Sequence, residues 1–320
     1  LFTSGGSESN NMALIGAAWA NQRAGKHIIS TSIEHPSVYN PLGVLEELGF
    51  EVTILPVDHD GHISLKELEE AIRPDTILVS TMYVNNEVGA VEPVEEISKI
   101  IKAKNPSTLY HVDAIQAYGK YVIRPKKQGI DLLSVSSHKI HGPKGVGFLY
   151  IRNGVKIKPL IYGGGQQAGM RSGTENVPGV AGFGAAAKEM YTNHAEKVQK
   201  LIELKDYMTD RLGEIEGTVI NSKKGEASAP QIVSVSFEGV RSEVLLHALE
   251  DKGVYVSSGS ACSSNHPGIS GTLKGIGVAQ KLLDSTIRMS FGMFNTKEEV
   301  DYTIDVLKEL VPVLRRYQRG

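Results

Sequence analysis

The chain has 320 residues, 41% hydrophobic and 22% charged, with a net charge of −2. That is material for a sizeable core in about two domains, and it excludes a coiled coil or a disordered tail. A charge so near zero predicts no nucleic-acid or anionic-membrane surface, and no apolar run approaches the ~18 residues of a membrane span. The one cysteine, Cys262, allows no intrachain disulfide and no multi-cysteine metal site, and predicts a reducing compartment, most simply the cytoplasm. The chain opens on Leu1-Phe2-Thr3 with neither a starting Met nor a signal peptide, which reads as a strand already under way and predicts that the natural chain begins earlier.

Strand and helix signals alternate along the chain. After the strand end at Thr3, Ser4-Gly5-Gly6-Ser7 turns into a helix over 8–23. A β-rich run covers 27–31, a helix with proline near its start covers 36–48, and a strand covers 51–55. Ser64-Leu65-Lys66-Glu67 reads as a capping box opening a helix to Ala71. Strands over 77–81, 108–112, 131–135 and 146–151 follow, with a helix over 93–102. This order predicts βαβ units and a mostly parallel sheet, with ligands beyond the carboxyl ends of the strands. Residues 176–212 predict a long helical stretch, broken or bent somewhere. Beyond it come a half-buried strand over 231–237, a helix over 242–252, strand-like runs over 254–257 and 287–291, and an amphipathic helix over 297–316. The expected division is a large domain over 1–195 and a smaller α+β domain over 196–320.

Five stretches carry chemistry. Thr3 to Asn10 runs from a strand through small residues into a helix, whose first N–H groups and dipole favour a phosphate, although many such turns are only turns. Ser136-Ser137-His138-Lys139 follows a buried-looking strand, and a lysine partly desolvated there becomes a nucleophile toward an aldehyde; the plain reading is a surface lysine. Asp113 ends another strand, 26 residues before Lys139, where it could face the same pocket or cap a helix. His35, in Ile33-Glu34-His35-Pro36, ends a third, where a histidine is commonly structural. Cys262 sits in Ser257-Ser258-Gly259-Ser260-Ala261-Cys262-Ser263-Ser264, a context for an accessible thiol rather than a buried one. Gly163 to Ala168 matches a dinucleotide fingerprint only loosely and leads into a turn, and His138 and His141 lack a third ligand, so neither a dinucleotide nor a metal is expected.

Taken together, FTSGGSESNN, SIEHPSV, YVNNEVGAV, YHVDAIQAYGK, SVSSHKIHGPKGVGFLYI, GGGQQAGMRSGTEN, SSGSACSS and IRMSFG resemble the pyridoxal-phosphate-dependent, fold-type I class V aminotransferase superfamily, and within it the NifS/IscS-type cysteine desulfurases. The resemblance implies an α/β fold with a large, mostly parallel-sheet domain and a smaller α+β C-terminal domain. It implies that Lys139 attaches pyridoxal 5'-phosphate, that Asp113 pairs with the ring nitrogen, that His35 stacks on the ring, and that Gln116 bonds the ring oxygen with Asn86 on the same side. Gly6, Ser7, Ser136 and His138 would hold the phosphate. Thr174 would reach the phosphate of a neighbouring subunit, implying a homodimer. Arg288 would clamp the carboxylate of L-cysteine, and Cys262 would take the sulfur as a persulfide and hand it to an acceptor such as an iron–sulfur scaffold or a tRNA-thiolation protein. The 26 positions from Cys262 to Arg288 resemble the long-loop subgroup. The resemblance also implies about sixty family residues ahead of Leu1, including an Ala-Thr-Thr motif. Ser7, Ser137, His141 and Met293 depart from residues common in the family. Another class V enzyme, an aminotransferase or a selenocysteine lyase, and a truncated inactive scaffold are the alternatives.

Overall fold

The computed structural model describes residues 1–258 and 270–317. They form two compact units: Leu1–Pro56 with Ile63–Val84 and Glu92–His194, and Val57–His62 with Asn85–Val91 and Ala195–Gly320.

In the first unit the order is β1 (Phe2–Thr3), α1 (Gly6–Asn21), β2 (His27–Thr31), α2 (Pro36–Glu47), β3 (Glu51–Leu55), α3 (Leu65–Ala71), β4 (Thr76–Met82), α4 (Val94–Lys104), β5 (Leu109–Asp113), β6 (Leu132–Ser136), β7 (Gly147–Ile151) and α5 (Val177–Tyr191). Seven strands line up as β1-β7-β6-β5-β4-β2-β3. The pairs β3–β2, β2–β4, β4–β5 and β5–β6 are parallel, and β7 runs antiparallel to both β6 and β1. β2, β4, β5 and β6 are buried along their whole length, the condition under which parallel strands read as nearly unbroken apolar runs. The core sets Met12, Leu14, Ile28, Val38, Leu42, Leu78 and Leu132 together. Ser64 caps α3 as expected, its side chain accepting from the Glu67 N–H.

The expected break in the long helical stretch falls between α5 and α6 (His194–Leu212), where Asn193 adopts φ 51°. Asparagine is among the few residues that enter the left-handed region readily.

The second unit continues with β8 (Thr218–Ile220), β9 (Ile232–Phe237), α7 (Ser242–Glu250), β10 (Ser257–Ser258), α8 (Gly271–Gly275), β11 (Thr286–Ser290) and α9 (Lys297–Tyr317). Its antiparallel sheet has the order β10-β11-β9-β8. Three details differ from the sequence expectation. β9 is buried throughout rather than on one face, because its serine face is satisfied: Ser236 Oγ lies 2.7 Å from Thr286 Oγ1 and accepts from Asn221 Nδ2 at 3.0 Å. Of the strand-like run 254–257, only Ser257 pairs in the sheet, with Ser258 beyond it. The short β8 is an addition. Val57, Val88 and Ala90 pack with Leu273, Ile276 and Leu283, which explains why two short segments from the first part of the chain belong to this unit. No described helix is long and apolar enough to cross a membrane.

Candidate active site

The carboxyl ends of the parallel strands carry the expected groups. β5 ends on Asp113, β6 ends on Ser136 and leads into a 3-10 turn, Ser137–Ile140, that holds Lys139, and β2 leads to His35, which caps α2.

Glycine shapes the start of α1. Gly5 has φ 149° and no side chain to cap the helix, so the first-turn N–H groups are open to an external acceptor. A Cβ on Gly6 would collide with Ile115 Cδ1, and one on Gly5 would sit 3.7 Å from Ser136 Oγ, so the helix start presses directly on the ends of β5 and β6. Ser136 Oγ is 2.8 Å from His138 Nδ1. Glu8, the one acid in that first turn, is occupied by the Ser4 N–H at 2.8 Å and by Arg171 Nε at 2.8 Å, so its charge is compensated locally. A turn of bare N–H groups beside a serine and a histidine is a donor set for a phosphate dianion. Gly6 is buried and Ser7 exposed.

One turn further along α1, Asn10 ties the other groups into a chain. Its Nδ2 donates to Asp113 Oδ2 at 2.8 Å and to Ser37 Oγ at 2.9 Å. Ser37 Oγ is 2.8 Å from His35 Nδ1, and the Ser37 N–H also donates to that nitrogen at 3.1 Å. With Nδ1 accepting from a backbone N–H, a neutral His35 carries its proton on Nε2. The serine hydroxyl therefore accepts from Asn10 and donates to His35. The second Asp113 oxygen accepts from the Ile115 N–H at 3.0 Å, so the aspartate does cap a turn as well as face the site. Burial raises the Asp113 carboxyl, opposed by the Ile115 and Asn10 donors and by the charges of His35 and Lys139. Burial lowers the His35 imidazole against the pull of Asp113, and the Lys139 charge lowers it further. Desolvation, with the Lys139 and Lys144 charges, lowers His138 as well. Lys139 is half-buried at the centre of these effects, and Gln116 is half-buried on the turn after β5.

Asn86 and Arg288 meet in the second unit. Arg288 Nη1 donates to the Asn86 carbonyl at 2.7 Å and Nη2 to Ser257 Oγ at 3.1 Å, while the buried Nε has no partner among the described residues. Both hydrogen-bond partners are neutral oxygens, and the Arg288 charge also acts on the carboxyl of Glu87. Thr174 is exposed in the turn ahead of α5. Cys262 lies outside the described residues. Asn10, Ser37, Arg171 and Ser257 hydrogen-bond Asp113, His35, Glu8 and Arg288 respectively, and no role for them was read from the sequence. All four lie inside the quoted stretches, but a polar residue in a helix's first turns, as Asn10 and Ser37 are, reads as solvent-facing.

A strand-end lysine beside a buried carboxylate, a neutral imidazole and a phosphate donor set suits a phosphorylated aromatic aldehyde. Comparison with known proteins agrees. The aminotransferase class-V family model matches residues 1–303. The cysteine desulfurase IscS of Dictyoglomus turgidum is 44% identical over 316 residues, 98% of this chain and 79% of that protein. The IscS of Methanosarcina thermophila is 46% identical over 314 residues, covering 98% and 77%. A solved NifS-like protein superposes with a TM-score of 0.92 at 40% identity, covering 98% of this chain and 82% of its own. The family is pyridoxal-phosphate dependent, and its fold-type I architecture is the α/β fold seen here. The chain belongs to the class V aminotransferase family, among the IscS/NifS cysteine desulfurases.

Proposed function

We propose that this chain is a pyridoxal-phosphate-dependent cysteine desulfurase, converting L-cysteine to L-alanine and moving the sulfur to Cys262. The observation that carries the reading is the hydrogen-bonded chain Asp113–Asn10–Ser37–His35 with the charge of Lys139 acting on both ends. Bound pyridoxal phosphate supplies an electron sink for negative charge developing on the substrate. Lys139 would attach the cofactor, and the buried Asp113, held by two N–H donors, would pair with its ring nitrogen. The neutral His35, with Nδ1 accepting from Ser37, would pack on the ring and have its Nε2–H free to donate toward the substrate. Gln116 bonds the ring oxygen. Gly6, Ser7, Ser136 and His138 hold the phosphate, and Thr174 reaches that of a second copy in a homodimer. Arg288 takes the substrate carboxylate beside Asn86. The Cβ–S bond of the substrate breaks as the Cys262 thiolate takes its sulfur, so that cysteine plus one enzyme thiol gives alanine plus one enzyme persulfide. The persulfide then passes to an acceptor protein, an iron–sulfur scaffold or a thiolation partner, in the cytoplasm.

The test is an alanine assay with cysteine alongside the visible absorbance of protein loaded with pyridoxal phosphate. Lys139→Ala is expected to be colourless and inactive. Cys262→Ala is expected to stay yellow and to form no alanine. An unchanged alanine yield in Cys262→Ala overturns sulfur transfer to this residue, and a colourless parent protein overturns the cofactor assignment.

A further inference from the structure

Lys120 is only 7% exposed, yet no carboxylate pairs with it among the described residues. Its Nζ donates to a single neutral acceptor, the Lys139 backbone carbonyl, at 2.7 Å. Burying an ammonium against one carbonyl is costly, because a neutral oxygen does not replace the water and counter-charge it gives up. The fold nevertheless fixes it firmly there. Residues 114–121 make a double turn, with Tyr118 and Lys120 donating to the Ala114 and Ala117 carbonyls. Gly119, at φ 82°, lies so close to Ile140 that a Cβ would meet its Cγ2 at 2.7 Å, and its N–H donates to the Tyr191 hydroxyl at 3.0 Å. The acceptor is the carbonyl of a residue near the end of a four-residue 3-10 turn, where carbonyls lack partners within the turn and negative partial charge accumulates.

We propose that Lys120 is a positioning residue for Lys139: it clamps the backbone that presents the Lys139 side chain and stations a second positive charge behind that side chain. This rests on Lys139 being the cofactor lysine. Other charged or titratable groups acting with Lys139 are Asp113 at the end of β5, His35 at the cap of α2 and His138 in the same turn; those acting with Lys120 are Lys139 and His141. Burial and the Lys139 charge push Lys120 itself down to about 8. A neighbouring cation favours the deprotonated form of a nitrogen base, so removing it makes protons harder to strip from the Lys139 nitrogen.

The experiment compares Lys120→Gln, Lys120→Met and Lys120→Arg with the parent, each loaded with pyridoxal phosphate. The readouts are the pH midpoint of the visible absorbance change and the melting temperature of the protein without cofactor. Lys120→Gln retains a donor for the carbonyl and loses the charge; its midpoint is expected to rise by about one pH unit, as for loss of one nearby like charge. Lys120→Met is expected to shift as far and to melt lower, and Lys120→Arg to stay near the parent. If Lys120→Met does not fold, Lys120→Gln decides alone. A melting temperature that drops while the midpoint stays fixed in Lys120→Gln makes Lys120 a purely structural cap and overturns the proposal. A parent that never develops the absorbance overturns the cofactor reading instead.

Discussion

Asp113 and His35 in the sheet unit and Arg288 in the second unit are held in different ways. Asp113 and His35 are wired together through Asn10 and Ser37 before any ligand arrives: both Asp113 oxygens are occupied and His35 Nδ1 is occupied, and nearby Glu8 is paired with Arg171, although Lys120 of the same unit has only the Lys139 carbonyl among the described residues. In the second unit Arg288 is held by two neutral oxygens and keeps a buried Nε with no partner among the described residues. A wired carboxylate is preorganised and holds its protonation state; an arginine hydrogen-bonded only to neutral acceptors still has electrostatic attraction to offer. The first arrangement suits a resident group and the second a ligand that comes and goes.

Breaking the wired side carries the largest expected effect. Asp113→Asn is expected to reduce alanine formation by on the order of a hundredfold or more, the scale of losing one preorganised electrostatic partner in a water-poor site. A rate within a few fold of the parent would remove Asp113 from the ring. On the open side, Arg288→Lys keeps the charge but loses the planar fork; kcat/KM for cysteine is expected to fall roughly ten- to a hundredfold, mostly through KM. A loss confined to kcat would show that Arg288 does not grip the substrate's ground state. Asn10→Ala cuts the link between the halves of the wired chain and leaves Ile115 on Asp113 and Ser37 on His35. About tenfold in kcat is expected, from one or two hydrogen bonds. An unchanged pH profile in that variant would mean the two groups titrate independently of the link.

Much of the sheet unit was legible because buried parallel strands announce themselves. The run 77–81 falls inside the observed Thr76–Met82, and the expected strands over 108–112 and 131–135 stop one residue short of the observed ends at Asp113 and Ser136. The second unit was harder to read. β8 is three residues of an edge strand, too short for any alternation to register. The Val/Ser alternation of β9 promised a wet face, but Asn221 and Thr286 supply the hydroxyls with partners and let it be buried. Nothing in 57–62 or 85–91 advertises packing on residues some two hundred positions away, since Val57, Val88 and Ala90 are small apolar residues that would suit either unit. In the site, Lys139, Asp113 and His35 were readable as reactive types at strand ends. Asn10 and Ser37 were not, because their value lies in which hydrogen bonds they complete.

The smallest expected effect concerns Glu34, the neighbour of His35. Its Oε1 accepts from the Thr31 hydroxyl at 2.7 Å and from the Met82 N–H at 2.9 Å, tying the turn after β2 to the end of β4. Its Oε2 is buried with no partner among the described residues. Burial, aided by the Asp113 and Glu92 charges and opposed by the Thr31 and Met82 donors, raises this carboxyl to about 8. The folded protein thus holds a proton there that the unfolded chain releases near its ordinary value of 4.5. Stability falls as pH rises wherever the folded state binds the extra proton, so Glu34 is neutral to folding below about 4.5 and costs progressively more up to about 8. Glu34→Gln mimics the protonated acid at every pH. Its melting temperature relative to the parent is therefore expected to climb between pH 5 and pH 8, by on the order of a few degrees, because the comparison at each pH cancels the other titrating groups. A difference that stays flat over that range would mean that Glu34 is ionised in the fold and that a second carboxylate charge acts on Asp113 at neutral pH. The Asp113 side would then hold more negative charge than its hydrogen bonds compensate.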